Sequence, residues 1–304
     1  MAVVGAIAST IVRSIVGALT DNDLPGGAGG GGGGGGSSFG PTDVTTLVAA
    51  ETDYWICRNY QSLPLAVWCS PDGDYVMVQG QGGDAIDAWA LSTPFDTTVL
   101  ADNAAPTSTT GLNLGDALPR GLWMNPAGTF MSWVGETAET AITCTLGTAW
   151  DMSTKSVNAL YDMTADGVAD PQQIFWADDG LKFYVLEKNP TLKINQFACS
   201  SEFDVTTASF TSEYDFATAT SSDTGILGFF INGTEIYLNS QSDKLWKFSW
   251  TPGDITSMAI DGAAQSYTQT QVAQSGLWMN ADYVMYTDYG GSDGVHTHTW
   301  GPHE

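Results

Sequence analysis

Positive charge is what this sequence has least of. Nine Lys and Arg face 34 Asp and Glu, giving a formal charge of −25. A surface of that sign repels phosphate backbones, which excludes nucleic acid as a partner. It also resists aggregation and suits salty water, where screening softens self-repulsion. Charged residues of both signs amount to only 14%. Little Lys or Glu beside abundant Gly, Thr, Ser, Asp and Trp argues against a helical protein and for an all-β one. Cysteine is scarce as well: Cys57, Cys69, Cys144 and Cys199 show no CxxC spacing. They read as small buried hydrophobes, with a Cys57–Cys69 bridge allowed but not demanded. No nucleophile–base pair, phosphate-binding loop or basic patch is present.

What is present begins with two dissimilar parts. Residues 2–19 place Val4, Ile7, Ile11, Ile15 and Leu19 at spacings of three and four, a helical stripe that Val12 and Val16 widen and whose one charge is Arg13. The glycine tract of residues 29–36 ends any helix, so residues 20–40 read as a flexible tether. Such a tether separates its ends by roughly 25 Å on average. A secretory signal would need a basic start and a clean apolar centre, and Arg13 spoils that centre. A membrane span would need about 20 apolar residues, and Ser9, Thr10, Arg13 and Ser14 interrupt this stretch. The reading we favour is a docking helix over residues 1–19. Its stripe cannot reach its own core across the glycines, so it is buried in a groove on a partner.

Residues 41–304 repeat. A short turn followed by a strand recurs as SPDGDYVMV, NPAGTFMSW, ADDGLKFYV, INGTEIYL and MNADYVMY, with turn positions Gly73, Gly128, Gly180, Gly233 and Ala281 about fifty residues apart. Three residues past the turn stand Val76, Met131, Phe183, Ile236 and Val284; five past it stand Val78, Trp133, Val185, Leu238 and Tyr286. A spacing of two marks one buried strand face. An apolar run precedes each turn: LAVWC, GLWM, QIFW, LGFF and GLWM. The pentapeptide GLWMN, found at both 121–125 and 276–280, is therefore the same strand in the second and fifth copies.

A second marker follows each turn by roughly twenty residues. It contains Asp96, Asp151, Asp204 and Asp254, each with Ser or Thr two residues on. Such an Asp bonds nearby backbone amides and fixes a turn. The fifth copy lacks this marker at its own end, and Asp43 carries it at the start of the repeat region. The spacing predicts a five-bladed β-propeller whose last blade is completed by residues 41–60, preceded by the helix and tether.

The pattern SPDG…YV…WDMST, carried by Ser70 to Gly73 with Tyr75 and Val76, by Asp179-Gly180 with Tyr184 and Val185, and by Trp150 to Thr154, resembles the propeller-like repeat proteins of tailed bacteriophages and marine bacteria. Residues 1–40 match the N-termini of phage appendage proteins in style. The resemblance implies a non-enzymatic virion structural protein. Its helix would bind other virion proteins, and its ring would serve decoration or adhesion to a host-surface glycan or protein. The other reading is a secreted carbohydrate-binding or glycoside-hydrolase-like propeller. Propeller glycosidases place carboxylates in the central channel, yet the first strands here contain no acid.

Three smaller features complete the inventory. Trp89, Trp246, Trp250 and Trp300, with Tyr54, Trp55 and Tyr60, are candidates for a shallow ligand platform or for packing between blades. His296 and His298 share one face of a strand, with His303 nearby; such a pair can hold a metal ion or simply sit in solvent on an edge strand. Asp162, Asp166 and Asp170 form an oxygen-rich loop whose spacing matches no known calcium loop.

Overall fold

The computed structural model describes residues 53–299 apart from 82, 113–117, 218, 221–224, 243, 267–273 and 289–292. The expected helix and tether, Asp43, Trp300 and His303 lie outside the described residues.

The chain forms β1 (Asp53–Ile56), then four blades with their own outer strands and a fifth that borrows β1. Blade 1 is β2 (Pro64–Cys69), β3 (Tyr75–Gly80), β4 (Ala85–Ala90) and β5 (Ser108–Gly111). Blade 2 is β6 (Pro119–Met124), β7 (Phe130–Gly135), β8 (Thr140–Leu146) and β9 (Lys155–Asp162). Blade 3 is β10 (Pro171–Trp176), β11 (Lys182–Glu187), β12 (Lys193–Cys199) and β13 (Ala208–Asp215). Blade 4 is β14 (Ile226–Asn232), β15 (Glu235–Ser240), β16 (Lys244–Thr251) and β17 (Asp254–Ile260), with the short β18 (Gln265–Ser266) also on β16. Blade 5 is β19 (Gln274–Met279), β20 (Tyr283–Asp288) and β21 (Gly294–Thr299), and its fourth strand is β1. The fold is a five-bladed β-propeller.

Closure follows the sequence expectation. β1 pairs antiparallel with β21, from Asp53 opposite Thr297 to Ile56 opposite Gly294. The same ribbon is tied to blade 1. The Trp55 indole N–H donates to Ala101 O (3.1 Å), Asn103 N–H to Ile56 O (2.7 Å), and the Trp55 ring meets Trp89 edge-on at 4.7 Å.

Inner strands are buried along their whole length, as in β2, β10 and β14, whereas β13 has no buried residue. That gradient explains why the apolar runs before each turn carry no charge. Each inner strand also shifts register against its neighbour at one place, for example between Arg120 and Leu122 and between Ser275 and Trp278. These bulges let the inner strands approach one another around the axis. In the two GLWM copies, Gly121 and Gly276 sit at φ +57° and +61°. A Cβ on either would come within 2.4 Å of Gln173 Cα or 2.6 Å of Ala66 Cα in another blade. Only glycine meets both demands.

The turn and the Asp marker are one unit. In blades 1–3 the peptide N–H groups of Phe95, Trp150 and Phe203 donate to the oxygens of Gly73, Gly128 and Gly180 at 3.0, 2.9 and 2.8 Å. The three aromatics hold positive φ (62°, 62° and 55°), and each ring lies directly against its turn glycine. The next residue caps a 3₁₀ turn: Asp96, Asp151 and Asp204 accept from Thr98, Ser153 and Thr206 N–H at 2.9–3.0 Å. Asp254, the first residue of β17, also accepts from Thr256 N–H, at 3.1 Å, with no 3₁₀ turn after it. The structural role expected for these acids is the one they play. In blade 5, where Ala281 replaces the turn glycine, Asn280 Oδ1 accepts from Asp282 and Tyr283 N–H at 2.8 and 2.7 Å and holds a shorter turn.

Gly128→Ala should cost about 2–4 kcal/mol, combining left-handed strain with a clash, because its Cβ would lie 2.2 Å from the Trp150 ring. Gly167→Ala, at φ +82° with nothing within 4 Å of the new Cβ, should cost only about 1 kcal/mol. Urea midpoints of the two variants check the difference.

Candidate functional site

The centre of the ring is closed by side chains. Trp68, Trp123, Phe175, Phe230 and Trp278 occupy the same inner-strand position in the five blades, each directly opposite a core residue of the second strand. Trp68 of blade 1 lies 6.1 Å from Phe175 of blade 3 and 6.1 Å from Phe230 of blade 4, ring centre to ring centre. Neither of those blades neighbours blade 1, so these contacts span the axis. Trp68–Trp123 (6.1 Å), Trp123–Phe175 (6.2 Å) and Phe175–Phe230 (5.3 Å) complete the cluster. The level at which channel carboxylates would act is filled with aromatic rings.

The platform expected from Trp89, Trp246 and Trp250 is corrected by the structure: these residues are 1%, 7% and 7% exposed. All three stand on third strands, β4 and β16, whose faces are covered. The Trp89 and Trp250 indoles donate to Ala104 O and Gly233 O, both at 2.9 Å, and the Lys244 ammonium sits 5.6 Å over the Trp246 ring. Trp55 is buried too, while Tyr60 is exposed.

His296 and His298 do share one face of β21, but that strand lies between β20 and β1 and buries both rings. A solvated edge position is thereby corrected as well. His298 Nε2 and the Tyr286 hydroxyl are 2.7 Å apart, and the His296 ring has Tyr54 at 4.5 Å and Tyr286 at 5.1 Å. Asp288 approaches His296 Nε2 at 3.7 Å. Among the described residues no three His, Cys, Asp or Glu side chains are grouped so as to hold a metal ion. The acids of the loop act separately: Asp162 caps Thr164 N–H (2.9 Å), Asp166 accepts from Tyr161 (2.7 Å), and Asp170 accepts from Gln172 and Asn189.

One half-buried aromatic pair lines a groove between blades 1 and 2. Trp150 and Tyr75 are half-buried and stack nearly parallel, 14° apart with centroids 6.2 Å from each other. They line a groove of about 530 Å³ together with Thr107, Thr148, Asp151 and Ser153. That size falls within the usual range for ligand sites, and an aromatic body rimmed by hydroxyls suits a ring that is apolar on its face and polar at its edge. Asp151 is engaged by Ser153 through its N–H (3.0 Å) and hydroxyl (2.6 Å). The sequence signal for this groove was the repeat itself: Tyr75 stands two residues past the turn and Trp150 immediately before the capping Asp. Their mutual contact needed the ring to be closed.

No protein-family model matches the chain, and no curated protein sequence matches it. Among solved structures it is similar to a candidate 6-phosphogluconolactonase of Bacteroides fragilis NCTC 9343, at 16% identity and TM-score 0.45, over 67% of this chain and 55% of that one. A second candidate 6-phosphogluconolactonase, from Bacteroides uniformis ATCC 8492, gives 12% identity and TM-score 0.46 over 75% and 64%. A nidogen/laminin complex gives 12% and 0.46 over 74% and 72%. The chain thus spans 55% and 64% of the length of the first two. Likeness at this level says nothing of activity. Among the described residues no helix is long and apolar enough to cross a membrane.

All four cysteines are free and buried, and no Cys57–Cys69 bridge forms. Burial is the leading cause that pushes the Cys144 thiol up to about 12 and Cys199 to about 11, from an ordinary 9.0, and it raises Cys57 and Cys69 as well. Below the ordinary value the thiols are neutral in both states and their effect on stability is constant. As pH rises from there through the folded values, only the unfolded thiols ionise, and stability falls. Native protein should therefore leave all four thiols unreactive to a chromogenic disulfide at pH 8, and denatured protein should titrate four. Urea midpoints should decline above pH 9.

Proposed function

We propose that this chain is a non-catalytic binding and display module, and specifically a bacteriophage virion structural protein. Residues 2–19 dock into the particle through Val4, Ile7, Ile11, Ile15 and Leu19 with Arg13 at the rim, residues 20–40 act as the tether, and the ring engages a host-surface saccharide. The observation that carries the binding role is the half-exposed Trp150–Tyr75 pair in its hydroxyl-rimmed groove, beside an axis occupied by aromatic rings. The virion setting rests on the apolar stripe, the glycine tract and the strongly acidic composition. A secreted lectin-like propeller would use the same groove. A hydrolase is less well supported, because Asp151 is spent on its turn.

A sugar ring stacked on an aromatic platform gains about 0.5–1.5 kcal/mol from ring geometry beyond its buried area, by analogy with aromatic pairs. Trp150→Phe keeps the packing that Phe95 and Phe203 provide in blades 1 and 3, so the fold should survive. Binding of the preferred oligosaccharide, identified on a glycan array and measured by calorimetry, should weaken three- to tenfold. No loss on Trp150→Phe and Tyr75→Ala would remove the groove from the reading.

Deletion of residues 1–40 should leave a folded ring that no longer joins particles. Normal incorporation of the truncated chain would sink the docking role. A cleaved mature N-terminus, seen by mass spectrometry, would favour the secreted alternative.

A further inference from the structure

Around the ring, each blade from 1 to 3 lays the aromatic that precedes its capping Asp onto the preceding blade. Phe95 stacks on Tyr283 (5.1 Å) and Trp278 (6.0 Å), Trp150 on Tyr75 (6.2 Å), and Phe203 on Trp123 (5.9 Å) while lying tilted against Phe130 (4.8 Å). The partner two residues past the turn is Tyr283, Tyr75 or Phe130, always aromatic. Between blades 3 and 4 both members of this pair are replaced. Gly253 stands where the ring belongs, and Lys182 stands where its partner belongs. Gly253 keeps a positive φ, +86°, but in a tight hairpin turn that pairs Thr251 with Asp254 in place of the 3₁₀ turn.

The lost rings leave a cavity of about 120 Å³, bounded by Trp176, Tyr184, Trp250 and Ile231 together with Lys182 and Asp179. The Lys182 ammonium donates to Gly253 O at 2.8 Å and would lie 2.9 Å from a Cβ at that position. Tyr184 and Trp250 meet edge to face at 5.3 Å, so the walls are rigid aromatic surfaces. Trp176 and Tyr184 are 0% and 1% exposed, and the Trp176 indole N–H and the Tyr184 hydroxyl have no hydrogen-bonding partner in the protein. Two buried donors without partners are unusual in a site that otherwise packs well. A closed apolar cavity of about 150 Å³ is enough to admit benzene, and this one opens to solvent, so a larger ring need not enter whole.

We propose that the blade 3–blade 4 cavity is a binding site for one planar aromatic ring supplied from outside the domain. The ring enters beside the Lys182 ammonium, next to the place that the repeat fills with its own Phe or Trp elsewhere. The Lys182 ammonium, replacing an aromatic partner, meets the π face of the guest as a cation, which favours indole over phenol and phenol over benzene. The guest is either a free aromatic molecule or the side chain of a partner peptide; the chemistry of the site is the same for both.

The test titrates the full chain with indole, N-acetyl-tryptophan amide and cyclohexanol, followed by proton–nitrogen spectra. Indole should saturably shift the side-chain N–H signals of Trp176 and Trp250 and the Gly253 amide, and cyclohexanol should not. Tighter binding of N-acetyl-tryptophan amide than of indole assigns the guest to a peptide side chain, and the reverse order to a small molecule. The double variant Lys182→Phe with Gly253→Phe rebuilds the Phe130–Phe203 arrangement. It should raise the urea midpoint and abolish the indole shifts. Lys182→Met removes the charge and leaves the walls, and should weaken indole at least threefold. That variant carries the test if the double variant does not fold. Absence of saturable shifts at those three signals, equal shifts in a folded double variant, or unchanged indole affinity in Lys182→Met would overturn the proposal.

Discussion

The rest of this structure depends on the pairing of the two ends of the repeat region. An inner strand of a blade is buried on both faces, and it stays buried only while a neighbouring blade stands on each side. An incomplete ring would expose two apolar sheet faces at once. The antiparallel ladder between Asp53–Ile56 and Gly294–Thr299 prevents this, and the Trp55 indole carries the same ribbon across to blade 1. Four residues with few hydrogen bonds thus hold the ring together because they sit where both neighbours need them.

Inside that circle, a recurring device joins blades 1, 2 and 3 each to the one before. A turn glycine leaves room for an aromatic ring, the ring's own backbone sits at positive φ, and the next residue caps a short helical turn. The unit couples local strain to contact between blades. The ring cannot leave without uncovering its glycine, and the glycine cannot gain a side chain without expelling the ring. This coupling accounts for the paired change of Lys182 and Gly253. Loss of the ring at one position removes the reason for an aromatic at the other, and a lysine amine bonded to the freed carbonyl replaces the stack.

On the function proposed for this scaffold, binding falls to the seams between blades. The axis is closed by rings that meet across it, so a ligand approaching the propeller finds its openings where neighbouring blades touch: a hydroxyl-rimmed groove over Trp150 and Tyr75, and a small aromatic-walled cavity beside Gly253. Both are variations of the same joint. In one the stacked pair is retained and half exposed; in the other it is lost, and a lysine amine stands in its place beside a small opening.

The sequence by itself determined the number of blades, the circular offset that lends blade 5 its last strand, the structural role of Asp96, Asp151, Asp204 and Asp254, and the burial of the four cysteines. Each of these rests on local pattern: a period of two along a strand, a period near fifty along the chain, an Asp with Ser or Thr two residues on, cysteines without CxxC spacing. It also marked the two copies of GLWMN, though only the packed ring gives the reason for their glycine, which is the approach of another blade's backbone to Gly121 and Gly276. Tertiary structure alone decided which aromatics meet solvent. Trp89, Trp246 and Trp250 are buried while Trp150 is half exposed, and His296 and His298 lie inside blade 5 among tyrosines. Strand periodicity says which face a side chain points to, but in a propeller both faces of a blade are covered. What covers them comes from residues far away in the chain, so exposure is a property of the joint between blades and not of the strand.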